Sequence, residues 1–360
     1  MRPISFRRHC VIKAKEVTVR MRAAVLHKPN QSLAIEDVDV PEIGENDVLV
    51  RVKACGICRS DLHFFEGTLK VGKLPLVLGH EASGIVERAG TNVHEVSQGD
   101  RVTIYFYLYC GKCRFCEAGQ HNLCIGLRRF GMDCDGAFGE FTKVPARNLV
   151  KLPDCIGFAE GAILGCAVGT SYHALRDVGR LMLGETVAIY GTGGLGLSAV
   201  QIANMSGART IAVDISDMKL EHAKRFGADA TINASKENPV DRIRDLTDNT
   251  GVDLSVEFVG SQATIQQAID STRKNGRVVL VGFSGKTATL DPNELIVNNL
   301  TICGSRGLLR QNLVELIELV ASGKLNLKEN VSHRIELDEV NRGLDLLRSG
   351  EALRVLIEFR

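Results

Sequence analysis

A glycine-rich stretch between a strand and a helix constrains the fold of this chain more than any other feature. The stretch VAIYGTGGLGLSAV places Gly191, Gly193 and Gly196 in the spacing G-x-G-x-x-G. The residues ahead of it, ETVAIYG, are typical of a buried strand, and LGLSAVQIANMSG is typical of a helix. Apolar strands and helical segments continue to alternate after about residue 168. This alternation predicts an α/β fold with a parallel, doubly wound sheet of about six strands.

The three glycines also indicate what the loop binds. Gly191 permits a tight turn, Gly193 lets the backbone approach a pyrophosphate, and Gly196 allows close packing of helix on strand. Asp214 ends the following strand, where a carboxylate would bind both ribose hydroxyls and repel a 2′-phosphate. The pattern therefore predicts NAD as the cofactor in preference to NADP. Lys219 could contact the same ribose, or it could be an ordinary solvated lysine of a helix.

The sequence on either side of this sheet predicts the remaining domain organisation. Residues 21–105 contain many short runs rich in Val and Ile, which favours a β-rich domain. After residue 308, RQNLVELIELVASG is helical, and EALRVLIEF is typical of a strand that returns to the first domain. The basic N-terminal segment lacks the apolar stretch of a secretory signal and is interpreted as an extension. The predicted order is an extension (1–20), a β-rich domain (21–167), a dinucleotide-binding domain (168–307) and a return segment (308–360).

Composition and charge narrow the class of protein. Of the 360 residues, 44% are hydrophobic and 24% are charged, and the net charge is +1, which is typical of a globular protein. No basic excess indicates nucleic acid, and no apolar run approaches the roughly 18 residues that span a membrane. Eleven cysteines in a long chain without a secretory signal favour a reducing, cytoplasmic location. Metal binding is then a better interpretation of the cysteines than a disulfide framework.

Four cysteines are concentrated in the stretch CGKCRFCEAGQHNLC, at residues 110–124. Disulfides between cysteines this close would be strained and out of place in a reducing compartment. An iron–sulfur cluster is the main alternative. However, the cysteine motif of bacterial ferredoxins ends with three residues and then Cys-Pro, whereas here seven residues separate the last two cysteines and no proline follows. Four thiolates close a tetrahedral site, so the spacing predicts a structural zinc lobe over about residues 107–126. Its ligands would be Cys110, Cys113, Cys116 and Cys124.

A second set of metal-binding residue types is spread along the chain. CGICRSDLH supplies Cys55 and Cys58, GHE supplies His80 and Glu81, and GCAVGT supplies Cys166. One histidine and two cysteines leave a fourth coordination position open, which is the pattern of catalytic zinc. Spacing alone does not decide between Cys55 and Cys58. Three further lone cysteines are interpreted as small buried apolar side chains: Cys134, Cys155 and Cys303. The same interpretation holds for Cys55 if it is not a ligand.

Taken together, these motifs resemble those of the zinc-dependent alcohol dehydrogenases of the medium-chain dehydrogenase/reductase superfamily. The resemblance extends from Met21 to Arg360 and rests on motifs in the family's order: GICRSDLH, LGHEASGIV, GDRV, the four-cysteine lobe, GCAVGTSYHAL, GTGGLGLSAVQIA and GEALRVLI. It implies a GroES-like catalytic domain joined to a Rossmann domain. In the family the ligand cysteine directly precedes a basic residue, Ser or Thr, and Asp. This order selects Cys58, with His80 and Cys166 as the other ligands.

The resemblance also implies roles for residues around this metal site and the glycine-rich loop. The residues with an implied role are Asp61, which orients the ligand histidine; Glu81, an acid that can approach the metal; Ser60, which takes the substrate proton; His63, the outer end of the proton relay; Phe106, a wall of the substrate pocket; Arg59 and Arg354, which bind the pyrophosphate; Thr170, near the nicotinamide; and Gly194, in the cofactor loop.

The activity implied by the resemblance is reversible hydride transfer between an alcohol and NAD, which yields an aldehyde or ketone. It implies two zinc ions per chain, one catalytic and one structural. Cys166 and the complete lobe favour this branch over the polyol dehydrogenases. The lack of a long insertion after the lobe favours a homotetramer over a dimer. Two alternatives are a dehydrogenase of a polyol, sugar or other hydroxy compound, and a non-catalytic NAD-binding protein.

Overall fold

Short strands build the N-terminal part of the chain in the computed structural model, which describes residues 19–360. Residues 1–18 of the predicted extension lie outside the described residues, whereas Arg20 already belongs to the first strand. The strands of this part are β1 (Arg20–Leu26), β2 (Ala34–Asp39), β3 (Asp47–Ile57), β4 (Leu76–Val77), β5 (Glu81–Ala89), β6 (Arg101–Ile104), β7 (Tyr107–Leu108), β8 (Arg128–Arg129), β9 (Phe141–Pro145) and β10 (Leu149–Lys151). Its short helices are α1 (Arg59–Phe65) and α2 (Arg114–Glu117).

The central strand of this part is β3, which is buried along most of its length. It pairs antiparallel with β5 and β9, and the sheet continues from β5 to β6 and β10. The strands β1, β2 and β4 form a separate antiparallel sheet. Because β3 ends at Ile57 and α1 begins at Arg59, Cys58 lies at the junction of strand and helix.

One long helical stretch crosses from the N-terminal sheet to the parallel sheet. It consists of α3 (Phe158–Ile163), a first π-helical turn (Leu164–Val168), α4 (Gly169–Tyr172) and a second π-helical turn (His173–Val178). The boundary predicted between residues 167 and 168 therefore falls inside a continuous helix, with no linker there. Turns of π-helix are rare and occur frequently at functional sites.

The second half contains the parallel sheet that the alternating pattern predicts, and this prediction of an α/β fold is confirmed. Its strands are β11 (Thr186–Tyr190), β12 (Arg209–Asp214), β13 (Ala230–Asn233), β14 (Val252–Glu257), β15 (Thr272–Leu280) and β16 (Thr301–Gly304). Between them lie α5 (Gly194–Met205), α6 (Asp217–Arg225), α7 (Pro239–Leu246), α8 (Gln262–Asp270) and α9 (Pro292–Asn298). The strand order is β13-β12-β11-β14-β15-β16. It reverses direction next to β11, and ligands of such sheets bind beyond the carboxyl ends of the strands at that point.

The last segment of the chain runs back to the first sheet. It comprises α10 (Arg310–Ala321), β17 (His333–Ile335), α11 (Val340–Ser349) and β18 (Val355–Glu358). Strand β18 pairs antiparallel with β3, with Leu356 opposite Gly56. Its residues Val355, Leu356 and Ile357 are fully buried. Burial of each such side chain contributes about 1.5–3 kcal/mol, so this strand holds the segment firmly on the sheet.

The lone cysteines are less uniformly buried than the sequence predicts. Cys55 is buried in β3, but Cys134 and Cys303 are only half-buried. The prediction is wrong for Cys155, which is exposed. This residue lies in the turn between β10 and α3, where Ile156 donates its N–H to Pro153 and takes the buried position instead. Among the described residues, none of the helices is both long and apolar enough to cross a membrane.

Candidate active site

Four buried side chains of metal-binding type converge where β3, β5 and the long helical stretch meet. They are Cys58, His80, Glu81 and Cys166, and one ligand atom of each lies within 4.8 Å of the others. Cys58 precedes α1, His80 and Glu81 lie at the start of β5, and Cys166 lies in the first π-helical turn. The register of β3 on β5 places Gly56 opposite Glu81, so the sheet itself brings Cys58 beside the histidine. We call these four residues the open centre.

Asp61 fixes the orientation of His80 within the open centre. Its Oδ1 accepts a hydrogen bond from Nδ1 of His80 at 3.2 Å, and its Oδ2 accepts one from the N–H of Cys58 at 2.8 Å. Both ionisable side chains are fully buried. With Nδ1–H donated to Asp61, a neutral His80 keeps a lone pair on Nε2. That Nε2 atom is buried and has no hydrogen-bond partner within residues 19–360, which fits a metal ion as its missing partner.

Glu81 joins the open centre to Arg354. The Nη1 of Arg354 donates to Oε1 of Glu81 at 2.9 Å, and both side chains are buried. Burial raises the pKa of Glu81 to about 8, although the guanidinium opposes this shift. The other oxygen, Oε2, is buried without a partner among the described residues. A Cβ atom added to Gly194 would collide with the guanidinium of Arg354, so the same arginine also touches the glycine-rich loop.

The two thiols of the open centre shift each other's pKa in opposite directions. A hydrogen bond from Cys166, followed by His80 and Arg354, holds the pKa of Cys58 well below its usual range despite burial. The same interaction, together with burial, raises the pKa of Cys166. Cys58 is therefore the more acidic thiol of the two. A divalent cation between the two sulfurs would displace the thiol protons and leave two thiolate ligands.

The glycine-rich loop has the shape that each of its glycines predicts. Gly191 follows β11 with φ of +88°, a left-handed conformation that favours glycine. A Cβ at Gly193 would have no atom within 4 Å, so the space above this residue can admit a ligand. A Cβ at Gly196 would collide with the carbonyl oxygen of Gly191. The loop then opens α5 at Gly194, where free N–H groups favour a phosphate.

Asp214 lies at the carboxyl end of β12, beside this loop. Its Oδ2 accepts hydrogen bonds from the N–H of Thr192 at 2.7 Å and from the hydroxyl of the same residue at 3.0 Å. Its Oδ1 accepts from the N–H groups of Ile215 at 2.8 Å and Ser216 at 3.1 Å. The carboxylate is thereby held at the position where a dinucleotide ribose lies in sheets of this kind.

Two basic residues predicted to contact the cofactor meet at the end of α11. Nη1 of Arg59 donates to the carbonyl oxygen of Leu347 at 3.2 Å. A Cβ at Gly350 would lie 3.9 Å from Nζ of Lys219. The negative end of the helix dipole favours both cations there. Thr170 is buried in α4, next to the turn that carries Cys166.

The predicted proton-transfer residues and the pocket wall surround the open centre. Ser60 and His63 lie on α1 and are half-buried. The Nδ1 of His63 is buried without a partner among the described residues. Burial, with Arg59 second, lowers the pKa of His63 below its ordinary value. On the other side of the centre, the Phe106 ring lies 5.2 Å from that of His80.

The four cysteines of the lobe form a second cluster, which we call the closed centre. One sulfur of each lies within 4.8 Å of the others. The Sγ–Sγ distances are 3.5 Å for Cys113–Cys116 and 3.9 Å for Cys110–Cys116, close to the roughly 3.8 Å edge of a tetrahedron with Zn–S bonds of about 2.3 Å. Cys124 accepts the N–H of Cys110 at 3.3 Å. Backbone N–H groups of Ile125 and Cys116 lower the pKa of Cys113 to about 6. The site fits a structural metal.

Sequence reasoning missed two residues beside the open centre, Tyr107 and Arg306. The Tyr107 ring packs 4.1 Å from that of Phe106, and the guanidinium of Arg306 lies over Tyr107. One signal in the sequence could have found the arginine: it follows β16 by two residues, and ligand-binding residues of parallel sheets lie just beyond the carboxyl ends of strands.

The amino-acid sequence matches two family models that follow each other along the chain. The alcohol dehydrogenase GroES-like domain matches residues 44–154, and the zinc-binding dehydrogenase model matches residues 194–322. An alcohol dehydrogenase of Geobacillus stearothermophilus is 37% identical over 333 residues, which cover 92% of this chain and 97% of that protein. The chain belongs to the zinc-binding dehydrogenases of the medium-chain dehydrogenase/reductase superfamily. The resemblance drawn from the motifs is thus confirmed, and this zinc-binding dehydrogenase is an oxidoreductase.

The relatives of this zinc-binding dehydrogenase differ in substrate. An L-threonine 3-dehydrogenase of Pyrococcus horikoshii is 35% identical over 344 residues, which cover 94% of this chain and 98% of that protein. The structure of a zinc-binding dehydrogenase from Sinorhizobium meliloti bound to NADP matches with a TM-score of 0.88 at 31% identity, covering 95% of this chain and all of that one. The substrate is therefore not uniform among the relatives, and one relative of known structure binds NADP.

Proposed function

We propose that this chain is a zinc-dependent, NAD-linked alcohol dehydrogenase that reversibly converts an alcohol to an aldehyde or ketone. The observation that carries the proposal is the open centre itself, which Arg354 links to the glycine-rich loop. Hydride transfer needs the alcohol carbon and the nicotinamide in contact, so the two binding parts have to adjoin. A protein that only bound a nucleotide would have no need of a buried, incompletely filled ligand set beside it.

The donor set of the open centre fits zinc. Cys58, His80 and Cys166 would hold the ion, since two thiolates and one imidazole are typical ligands of catalytic zinc. Zinc supplies Lewis acidity at the substrate oxygen, and NAD accepts the hydride. Asp61 keeps the His80 ring oriented through its hydrogen bond to Nδ1. Glu81, whose Oε2 lacks a partner among the described residues, is positioned to approach the ion when ligands exchange.

Ser60 and His63 would carry the substrate proton to solvent. Both lie on α1, which begins directly after Cys58, so one helix supplies a ligand and the proton route. Ser60 would accept the proton of the substrate hydroxyl, and His63 would release it at the outer end. The lowered pKa of His63 keeps its imidazole neutral and able to accept a proton near neutral pH. Phe106, beside His80, would exclude water from the reacting carbon.

The loop and its surroundings fit NAD. The pyrophosphate would lie over Gly193 at the start of α5, within reach of Arg59 and Arg354, with the remaining loop glycines giving the turn its shape. Asp214 and Lys219 would bind the adenosine ribose. A carboxylate at this place repels a 2′-phosphate, which is why we propose NAD although a relative binds NADP. Thr170 would lie near the nicotinamide.

The closed centre, the domain limits and the assembly complete the proposal. Cys110, Cys113, Cys116 and Cys124 would hold a structural zinc, so each chain would bind two zinc ions. We keep the catalytic domain at 21–167, the Rossmann domain at 168–307 and the return segment at 308–360. We also propose a cytoplasmic homotetramer, which size-exclusion chromatography with light scattering would test.

A metal assay and a substrate panel test the proposed function together. We expect about two zinc ions per chain and reduction of NAD, followed by absorbance, with simple primary and secondary alcohols. A chain that binds zinc at both centres and oxidises none of the panel would contradict the proposal. A second candidate, a dehydrogenase of a larger hydroxy compound, is favoured by the L-threonine 3-dehydrogenase relative, so the panel includes L-threonine and polyols.

Replacement of Asp214 by glycine tests the cofactor. Because the carboxylate repels a 2′-phosphate, Asp214→Gly should lower the ratio of kcat/KM with NAD to that with NADP by at least about tenfold. Asp217→Gly, an exposed carboxylate on the following helix, is the control and should preserve the ratio. An unchanged ratio in Asp214→Gly would remove Asp214 from the ribose site.

A further inference from the structure

The segment that follows β16 is held rigidly against the N-terminal part of the chain. Nδ2 of Asn122, a buried residue of the lobe, donates to the carbonyl oxygen of Arg306 at 2.8 Å. The hydroxyl of Tyr105 donates to the carbonyl oxygen of Leu308 at 3.0 Å. Gly307, between them, has a φ of +54° and would collide with Tyr107 if it carried a Cβ. The backbone that carries Arg306 is therefore fixed from both sides.

This rigid segment presents the guanidinium of Arg306 to the side of the open centre. The Cζ atom lies 5.7 Å from the centre of the Tyr107 ring, and that ring lies 4.1 Å from Phe106. Phe106 is in turn 5.2 Å from His80. Burial raises the pKa of Tyr107 to about 12, and the guanidinium of Arg306 opposes this shift. The rings of Tyr107 and Phe106 therefore form a chain of contacts between Arg306 and His80.

Arg306 differs from Arg129 and Arg354, two other arginines near the centre, because its charge is not paired. Arg129, which also faces Tyr107, is bound by both oxygens of Asp133 at 2.7 and 2.9 Å. Arg354 is bound by Glu81. Within residues 19–360, Arg306 has no carboxylate within 4.0 Å, and the residue is exposed while its guanidinium lies over the Tyr107 ring. An unpaired guanidinium that is carried by a fixed backbone near a reaction site is suited to bind an anion.

We infer that Arg306 is a specificity residue that selects alcohols bearing a carboxylate, which its N–H donors bind together with the hydroxyl of Tyr107. This inference rests on the proposed alcohol oxidation and names its substrate class as short hydroxy acids. The planar guanidinium can donate two parallel hydrogen bonds to the two oxygens of a carboxylate. A neutral amide of the same shape has one oxygen and no negative charge, so it cannot accept both bonds. A site built around a charged partner discriminates strongly against an analogue that leaves that partner unpaired.

Matched pairs of substrates test the inference on the zinc-loaded, full-length enzyme. The pairs are lactate, 3-hydroxybutanoate and 4-hydroxypentanoate, each beside its amide, so charge changes while the carbon skeleton stays the same. We expect wild-type kcat/KM to favour at least one acid over its amide. Arg306→Met should lower that ratio by about tenfold or more, because a charge-assisted hydrogen bond is lost. Arg306→Lys should restore part of it.

The matched control is Arg88→Met, which removes an exposed positive charge from β5 and should leave the acid-to-amide ratio unchanged. Higher salt should reduce the wild-type ratio and affect Arg306→Met less, since the interaction is electrostatic. If the amides are oxidised as well as the acids, or if Arg306→Met preserves the ratio, the inference is wrong while the proposed dehydrogenase activity stands.

Calorimetric titration separates failure of the inference from failure of the proposed function. If no acid or amide is oxidised, wild type and Arg306→Met are titrated with the three acids. If the acids bind to wild type but not to Arg306→Met, the carboxylate site is supported, and the proposed oxidation reaction is contradicted. Absence of binding would overturn the inference as well.

Discussion

The closed centre and the open centre use the same kind of sulfur ligand and are built in opposite ways. The closed centre takes four thiols from one stretch, residues 110–124, and two of them are only half-buried. The open centre takes two thiols, one imidazole and one carboxylate from three separate elements, and all four side chains are buried. A set of four thiolates is complete around a tetrahedral ion, whereas the open centre leaves room for an exchangeable ligand. Under the proposed function, the difference would separate a metal that stabilises the fold from one that takes part in the reaction.

The two centres also differ in how their sulfurs are stabilised as anions. In the closed centre the backbone of the lobe does this, since N–H groups of Ile125 and Cys116 lower the pKa of Cys113. In the open centre side chains from distant parts of the chain do it, among them Cys166 and Arg354 around Cys58. Loss of the closed centre should therefore cost local stability. Loss of the open centre should cost activity and leave the lobe unaffected.

Cys58→Ala should have the largest effect on activity. Removing one ligand of the open centre removes the Lewis acid, whose stabilisation of several kcal/mol corresponds to about a thousandfold or more in kcat/KM. NADH binding, measured by fluorescence titration, should persist because the glycine-rich loop lies on the other sheet. Metal analysis should find one zinc per chain instead of two. Full activity in Cys58→Ala would remove this cysteine from the ligand set.

Cys113→Ala should instead act on stability. A structural zinc contributes its binding free energy to folding, so we expect a loss of about 3 kcal/mol and a fall in Tm of about 6–12 °C. Thermal denaturation followed by circular dichroism measures this change. Cys134→Ala, a half-buried cysteine outside both centres, is the matched control and should shift Tm much less. If the two variants melt together, the lobe carries no stabilising metal.

The closed centre could be predicted from the sequence alone, whereas the open centre could not. Every ligand of the lobe lies within fifteen consecutive residues, so local spacing already specifies a metal site. The open centre forms only when β3, β5 and the long helical stretch pack together. Cys55 and Cys58 are equivalent in spacing, but Cys55 is paired inside the sheet between Ala82 and Ile357 and lies outside the cluster. Only the family resemblance selected Cys58.

The parallel sheet could be predicted for a physical reason that does not apply to the first π-helical turn or to the position of Arg306. Strands covered on both faces need continuous apolar runs, and such runs are visible in the sequence. The first π-helical turn has no comparable sequence signal, although it carries Cys166. The position of Arg306 over Tyr107 depends on the packing of the segment after β16 against the N-terminal part of the chain, and residues so far apart leave no local pattern. Long-range packing is therefore what sequence reasoning missed.

Asp61→Asn should weaken the open centre without emptying it. An amide in place of the carboxylate weakens the hydrogen bond to Nδ1 of His80, and loss of such a partner costs about 10–100-fold in metal affinity or activity. Chelator competition should show one of the two zinc ions leaving more readily. Asp177→Asn is the matched control, since Asp177 also accepts from Nδ1 of a histidine, His173, at 2.8 Å, away from both centres. Equal zinc release in the two variants would contradict a role for Asp61 at the metal.

His63→Ala should have the smallest effect, because water can replace an imidazole at the outer end of a proton route. We expect kcat for alcohol oxidation to fall about tenfold near pH 8, below the largest contributions of general base catalysis. Burial and Arg59 lower the pKa of His63, so the imidazole is neutral at pH 8 and accepts a proton. As pH falls through that lowered pKa, wild-type His63 becomes protonated and can no longer accept.

The ratio of wild-type to His63→Ala rates should therefore be largest above about pH 6.5 and should approach one at lower pH. A pH profile of kcat for both proteins measures this ratio directly, and it separates proton transfer from a packing defect, which would lower the rate equally at every pH. His27→Ala, on an exposed histidine paired with Glu36, should leave the profile unchanged. A ratio that stays constant with pH would show that the substrate proton leaves by a route that does not use His63. The reason is that protonation of the His63 imidazole is what would make the ratio change with pH.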